Sequence, residues 1–281
     1  MAKWHSRRVS IGRKARGYAR PVVSETVGRS LSARALVALW LAVFVALGAL
    51  GRGLPAAAGW SYVAYGHIAE SSEALIQHAL VMEVIFAIAL CSLVAWLGWW
   101  RPVVIERRRV SGWYGLIPGL LIPLSLVSVD WSRLSAKGAG YTATLVVTAL
   151  LVGFNEELFV RGVLVVGVRR LTSERGVWLW TSLAFGGLHA VNVVVGSPLR
   201  AVLWQVLLVT CVSTLFYLAR RAAGTVVAAM LMHAVWDFSG FSQPVTGNAT
   251  GARIVLGLVT FVLLIGSLAT ARRWLRVPAA A

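Results

Sequence analysis

Glu156, Glu157, His189, His233 and Asp237 are the residues through which this sequence could do chemistry, because each stands inside a long apolar block. A carboxylate or imidazole in hydrocarbon is costly unless it is paired, neutral or facing a cavity, so a cluster of them is by default a functional signal. Glu, His, His and Asp around one point suit two hydrolytic chemistries. In the first, Glu156 and His189 bind and deprotonate a water that attacks a peptide carbonyl, while His233 and Asp237 stabilise the oxyanion. In the second, Glu156, His189, His233 and Asp237 hold a divalent ion such as Zn²⁺ with one position open, and the metal lowers the pKa of its water. No G-x-S-x-G elbow or H-E-x-x-H helix is present, which weakens other hydrolase readings.

The spacing lets these groups meet. Measured from the ends of their apolar blocks at 1.5 Å per residue, Glu156, His189 and His233 lie at depths of roughly 18, 18 and 15 Å on three different helices. Asp237 follows His233 at i+4 and shares its helix face. Glu157 and Arg161 are also at i, i+4, acid before base, an order that predicts an ion pair keeping a buried Arg satisfied. Glu156, turned by about 100° from Glu157, is left free to react. Glu83 is a further acid inside an apolar block, preceded by His78, and reads as lining a polar crevice; whether it joins the site is open.

Such side chains need a scaffold of membrane helices, and the composition supplies one. Of 281 residues, 58% are hydrophobic and 13% charged, with a mean hydropathy of +0.77. This is an integral membrane protein and not a soluble globule. Apolar runs long enough to cross a ~30 Å hydrocarbon core occur at about 35–51, 76–99, 112–129, 139–168, 177–197, 201–219, 224–241 and 254–271. The expected fold is an all-α, polytopic transmembrane bundle of about eight helices. Most of the 27 basic residues, Arg101, Arg107 to Arg109, Arg169, Arg170, Arg220 and Arg221 among them, fall on the side of the two termini. That asymmetry puts both termini in the cytoplasm, and the net charge of +17 becomes mainly an orientation signal with no call for nucleic acid.

Residues 1–34 read as a basic cytoplasmic arm able to rest on anionic membrane lipids, 35–276 as a single transmembrane domain with its motif core at 139–241, and 277–281 as a tail. A rival reading takes residues 35–50 as the core of a signal peptide ending at Ala56-Ala57-Ala58, but the basic stretch ahead is too long for a typical signal. Cys91 and Cys211 lie within spans as small hydrophobes and define no disulfide framework. Trp60, Trp99, Trp100, Trp113 and Trp131 near span ends suit an interfacial belt.

Three short motifs in order carry a family resemblance. Glu156-Glu157-Leu-Phe-Val-Arg161 fits E-E-x-x-x-R, Phe185-Gly-Gly-Leu-His189 fits F-x-x-x-H, and His233-Ala-Val-Trp-Asp237 fits H-x-x-x-N/D. Over about residues 139–241 the chain resembles the CPBP family, the CAAX-protease and bacteriocin-processing intramembrane proteases also called Abi proteins. The resemblance implies an eight-helix endopeptidase related to the eukaryotic enzymes that trim prenylated CAAX proteins. It assigns Glu156 and His189 to water activation, His233 and Asp237 to the oxyanion or metal side, Glu157 and Arg161 to support, and Phe185 to packing at the site. Family members are commonly labelled metalloproteases, although a metal-free glutamate mechanism is also argued for them. Where the CAAX-processing branch has Asn, this chain has Asp237, an acceptor when ionised, which argues against direct oxyanion donation there.

A mid-bilayer site suits a hydrophobic, lipidated or membrane-inserted peptide. The Gly-, Ala-, Val- and Arg-rich composition points to a GC-rich bacterium and hence a bacterial plasma membrane, yet most bacteria lack CAAX prenylation, so the resemblance does not define the substrate. Two other classes share the buried charges. A proton-coupled transporter would use Glu156, His189, His233 and Asp237 as a relay, and a non-catalytic bacteriocin-immunity protein would keep the fold alone. The three-part motif favours the hydrolase.

Overall fold

The computed structural model describes residues 28–246 and 250–276, so most of the basic arm and the tail at 277–281 lie outside the described residues. Among the described residues the chain is helical and has no strand. Eight principal helical segments follow one another: α1 Ala33–Ala57, α2 Ser72–Leu97, α3 Gly112–Val127, α4 Ala139–Val168, α5 Glu174–Leu188, α6 Leu199–Ala223, α7 Val226–Phe241 and α8 Thr250–Ala269. Among them α1, α2, α4 and α6 are long and apolar enough to cross a membrane, and α3 and α8 include shorter apolar helices. The expected all-α bundle of membrane helices is what the chain forms. Large apolar side chains face outward from α6 (Leu203, Trp204, Leu207) and α8 (Leu258, Phe261, Val262), as lipid contact requires.

Local chemistry sets the helix ends. Ser32, Ser71, Asp130, Ser173 and Thr225 each accept a hydrogen bond from a first-turn backbone N–H of the helix that follows. Gly98 and Gly224 close α2 and α6 in the left-handed conformation, at φ 70° and 80°. One span departs from expectation. The block at 177–197 is not one helix, since α5 ends at Leu188 and a 3₁₀ turn, His189–Val193, replaces it. Both α2 and α4 contain a π-helical stretch, Ile76–Leu80 and Leu158–Leu164, where the extra residue per turn redirects the side chains that follow.

Two glycines bring backbones together around the centre. A Cβ on Gly153 of α4 would sit 2.7 Å from the Met230 carbonyl and 2.8 Å from the Ala234 amide of α7. On α5, a Cβ at Gly186 would lie 2.8 Å from the Val206 carbonyl of α6. Small residues at such crossings let membrane helices pack closely. Around them Val94, Leu97, Val160, Val163, Phe185, Leu215, Phe216 and Ala229 form the main core.

The arginine-rich end of the bundle is tied by a buried ionic network. Glu106 accepts from Arg220 Nε at 2.9 Å and Arg169 Nη1 at 2.8 Å, and from the Arg108 amide at 2.7 Å. Glu174 takes Arg169 Nη2 at 2.6 Å, Arg108 Nη1 at 2.8 Å and the Tyr217 hydroxyl. Arg221 donates to the Arg108 and Trp274 carbonyls at 2.7 and 2.6 Å. Arg220 and Arg221 are fully buried, so their charges are structural as well as an orientation signal. Trp99 also departs from the interfacial belt: it is fully buried, donating from Nε1 to the Arg29 carbonyl at 3.0 Å under the Arg170 guanidinium.

This network predicts an acid-sensitive fold. Burial opposes ionisation of Glu174, but Arg169, the Tyr217 hydroxyl and Arg221 outweigh it and hold the carboxyl down at about 2. Burial likewise opposes ionisation of Glu106, and Arg220 and Arg169 still keep it below the usual carboxylate range. Because the folded carboxyls titrate below the unfolded value of about 4.3, their stabilisation is complete above that pH and is lost as pH falls toward the folded values. Thermal unfolding in detergent should therefore shift to lower temperature between roughly pH 4.3 and about 2. In Glu174→Gln, stability should already be reduced at neutral pH and the acid slope should be shallower. An unchanged slope in that variant would remove Glu174 from the account.

Candidate active site

The reacting groups are delivered by four neighbouring elements. Glu156 and Glu157 lie in the last turn of regular α-helix in α4, and Arg161 sits in the π-helical turn that follows. His189 opens the 3₁₀ turn after α5. His233 and Asp237 lie one turn apart on α7. Gly153 and Glu157 are also one turn apart on α4, and the backbone that Gly153 touches, Met230 to Ala234, includes His233. The closeness the glycine allows is what brings the Glu157 carboxylate within reach of that imidazole.

His233 is the hub. Its Nδ1–H donates to Glu157 Oε1 at 2.9 Å, and its Nε2 faces Asp237 Oδ2 at 3.4 Å and Glu156 Oε2 at 3.6 Å. The Phe216 ring stacks on the imidazole at 4.5 Å between centroids, and the edge of Phe185 approaches at 5.7 Å. Both rings also flank Arg161, whose guanidinium lies 4.3 Å from the Phe185 centroid and 5.3 Å from that of Phe216. Arg161 Nη1 contacts Glu157 Oε1 at 3.0 Å, and Nη2 donates to Ser213 Oγ at 2.8 Å and to the Ser213 carbonyl at 3.1 Å. Ser213 Oγ donates in turn to Ser182 Oγ at 3.1 Å. Glu157 and Arg161 are both fully buried. Spacing alone gives Glu157 one partner, but it has two, and it links the cation to the imidazole.

His189 is oriented by a different device. Where α5 tightens into the 3₁₀ turn, the His189 amide turns to the Gly186 carbonyl, and the Phe185 carbonyl meets His189 Nδ1 at 3.0 Å. A carbonyl only accepts, so Nδ1 carries the hydrogen and Nε2 of the neutral ring keeps its lone pair. His189 does not touch His233 directly; the Phe185 ring stands between them, 5.0 Å from His189 and 5.7 Å from His233.

Glu156 and His189 share a cavity of about 320 Å³. Its apolar walls include Val43, Leu47, Met82, Phe86, Leu90 and Phe159, and its polar rim adds Tyr65, His78, Glu83, Asn155 and Asn192. Asn192 Nδ2 donates to Gln205 Oε1 at 2.8 Å. The Glu156 side chain is 30% exposed, whereas those of Glu157 and Arg161 have no exposure. One carboxyl of the pair thus meets whatever enters the cavity while its neighbour is locked in the wall. Glu83 belongs to the same cavity, and Asn155, which motif reading passed over although it directly precedes Glu156, links it to α4.

The donor set offers no preformed metal cage. Among the described residues, no group of three His, Cys, Asp or Glu side chains is arranged to hold a metal ion. The residues as placed do not fit the divalent-ion alternative.

Comparison with known proteins meets this geometry at the same residues. Residues 138–239 match the family model described as Type II CAAX prenyl endopeptidase Rce1-like. No curated protein and no solved structure matches the chain. The matched segment spans Glu156, Glu157, Arg161, Phe185, His189, His233 and Asp237, and over it this multi-pass, all-α membrane protein is similar to the CAAX prenyl endopeptidases.

Proposed function

We propose that this protein is an intramembrane endopeptidase that hydrolyses a peptide bond of a hydrophobic or membrane-associated substrate with a water activated by Glu156 and His189. The observation that carries the reading is that Glu156 and the Nε2 side of His189 open onto one largely apolar cavity while His233 stands beside Glu156. A water held between Glu156 and His189 Nε2 gives up a proton as its oxygen attacks the carbonyl carbon, and Glu156 takes that proton. The oxyanion draws a hydrogen bond from His233 Nε2, whose ring is fixed by Glu157 on one side and Phe216 stacking on the other. Asp237, one turn along, acts on His233 as an orienting acceptor. Glu156 then returns its proton to the leaving amine, so both products depart neutral at the cut.

The site sits within a membrane-spanning bundle, which favours substrates that are themselves membrane-inserted or lipid-modified, with membrane lipid as the surrounding solvent. The asymmetry of basic residues supports a cytoplasmic N-terminus, and the Gly-, Ala-, Val- and Arg-rich composition supports a bacterial plasma membrane. The test is cleavage of a hydrophobic peptide library by detergent-solubilised protein, read by mass spectrometry. Wild type should yield defined products, and His189→Ala should lower the rate by about 10²- to 10⁴-fold, the usual contribution of a positioned base. Equal product from the two proteins would reject the assignment. Solute or proton flux lost in His189→Ala, with no cleavage by wild type, would favour the transporter instead.

A further inference from the structure

The wall of the cavity also carries polar groups that the hydrolytic scheme does not use. Glu83 and His78 of α2 and Asn155 of α4 are each more than nine-tenths buried, and all three line the cavity. Asn155 Nδ2 donates to Glu83 Oε2 at 2.7 Å and to the Glu83 carbonyl at 2.7 Å. These two bonds account for the donors of the amide. Among the described residues Asn155 Oδ1 and His78 Nε2 are buried with no partner, and the Asn155 bond to Glu83 engages only Oε2 of that carboxyl. A structure that buries hydrogen-bonding atoms without partners loses stability for each, unless an occupant supplies the missing groups.

The chemistry of the missing partner follows from what is left over. Asn155 Oδ1 can only accept, Glu83 Oε1 accepts when the carboxyl is ionised, and the imidazole Nε2 of His78 accepts in one of its neutral tautomers. The surroundings are apolar: Leu75, Met82, Phe86 and Val152 line the same cavity. An extended peptide entering such a space must have its backbone N–H groups paired, because it displaces water and meets mostly apolar walls. We propose that Glu83, Asn155 and His78 form a substrate-backbone subsite that accepts N–H donors from an extended peptide segment beside the bond hydrolysed at Glu156 and His189. Because Asn155 and Glu156 are consecutive on α4, the accepting amide and the reacting carboxyl are separated by about 1.5 Å along the helix axis and about 100° around it. A segment held by Asn155 and Glu83 therefore has its next carbonyl carried toward Glu156. The subsite acts by positioning, and it rests on the endopeptidase reading above.

The subsite and that reading can fail separately if binding is measured apart from cleavage. The probe is a set of dye-labelled, terminally blocked Leu/Val/Phe decapeptides, each N-methylated at one successive position, titrated against the detergent-solubilised Glu156→Gln protein. In that background one or two positions should weaken binding about tenfold or more when methylated, the loss expected for a hydrogen bond to a carboxyl. With Glu83→Leu added, binding of the unmethylated peptide should weaken similarly and the methylation penalty should vanish. A purely structural link between α2 and α4 would lower thermal stability in Glu83→Leu without erasing a position-specific penalty. In otherwise wild-type protein, Glu83→Leu should raise KM with little change in kcat, and Glu83→Gln, which keeps an accepting oxygen, should recover most of the loss. The same penalties with and without Glu83, or no saturable binding of any peptide, would overturn the subsite. Binding as expected with no cleavage by wild type would overturn the endopeptidase reading and leave the subsite standing.

Discussion

Replacing Glu156 by Gln should abolish peptide hydrolysis while the protein keeps its fold. Gln preserves the length and one accepting oxygen but cannot take a proton from water, so the lost quantity is the base alone. The expected fall in kcat is about 10²- to 10⁴-fold, with KM little changed because the cavity walls are untouched. The fold should survive because the Glu156 side chain is 30% exposed and its one ionic contact among the described residues, His233 Nε2 at 3.6 Å, is long. Asp237→Asn provides the contrast. If Asp237 orients His233 across its 3.4 Å contact, Asn keeps an accepting oxygen there and activity should persist within about tenfold. Activity in Glu156→Gln equal to wild type would refute the assignment of the base.

The second large effect is on stability. Arg161→Met should destabilise the protein by about 3–5 kcal/mol, since it leaves the Glu157 carboxylate fully buried with its cation removed. It also takes away the contacts to Ser213 and the faces of Phe185 and Phe216. The double variant Glu157→Gln/Arg161→Met removes both charges together, and much of the lost stability should return, because a buried pair replaced as a unit is far less costly than one that is broken. Activity should not return with it. His233 Nδ1 then faces a neutral amide in place of a carboxylate, and the ring loses the partner that fixes its orientation. Thermal unfolding in detergent and peptide cleavage, measured on wild type, Arg161→Met and the double variant, separate the two effects.

Much of this was legible from residue order. The eight apolar blocks became the eight principal helical segments, and the boundaries of α4 at 139 and 168 coincide with the apolar run. Costly groups inside those blocks marked Glu156, Glu157, His233 and Asp237, which converge within 3.6 Å contacts on His233. Other features were illegible for physical reasons. The π-helical stretch Leu158–Leu164 has no residue signature, because an inserted residue is tolerated where tertiary packing rewards it. That His233 bonds Glu157 as well as facing Glu156 depends on how closely two backbones approach at Gly153, a matter of packing and not of spacing. Glu106 and Glu174 lie between apolar blocks, where acids are ordinarily solvated, and only the fold shows them buried among arginines. The break in α5 that frees the Phe185 carbonyl for His189 was equally hidden inside a continuous apolar run.

The two glycine crossings hold the elements that carry the reacting groups. Where Gly153 meets α7, main chain lies against main chain, and where Gly186 meets α6 the Val206 carbonyl and the Thr210 hydroxyl close the gap. On the cavity wall, Val43 and Leu47 of α1, Met82 of α2 and Tyr65 of the intervening turn present rotatable groups to the interior. Room for an entrant as wide as a polypeptide therefore comes from those rotamers, while the tightly crossed helices keep Glu156, His189 and His233 in place.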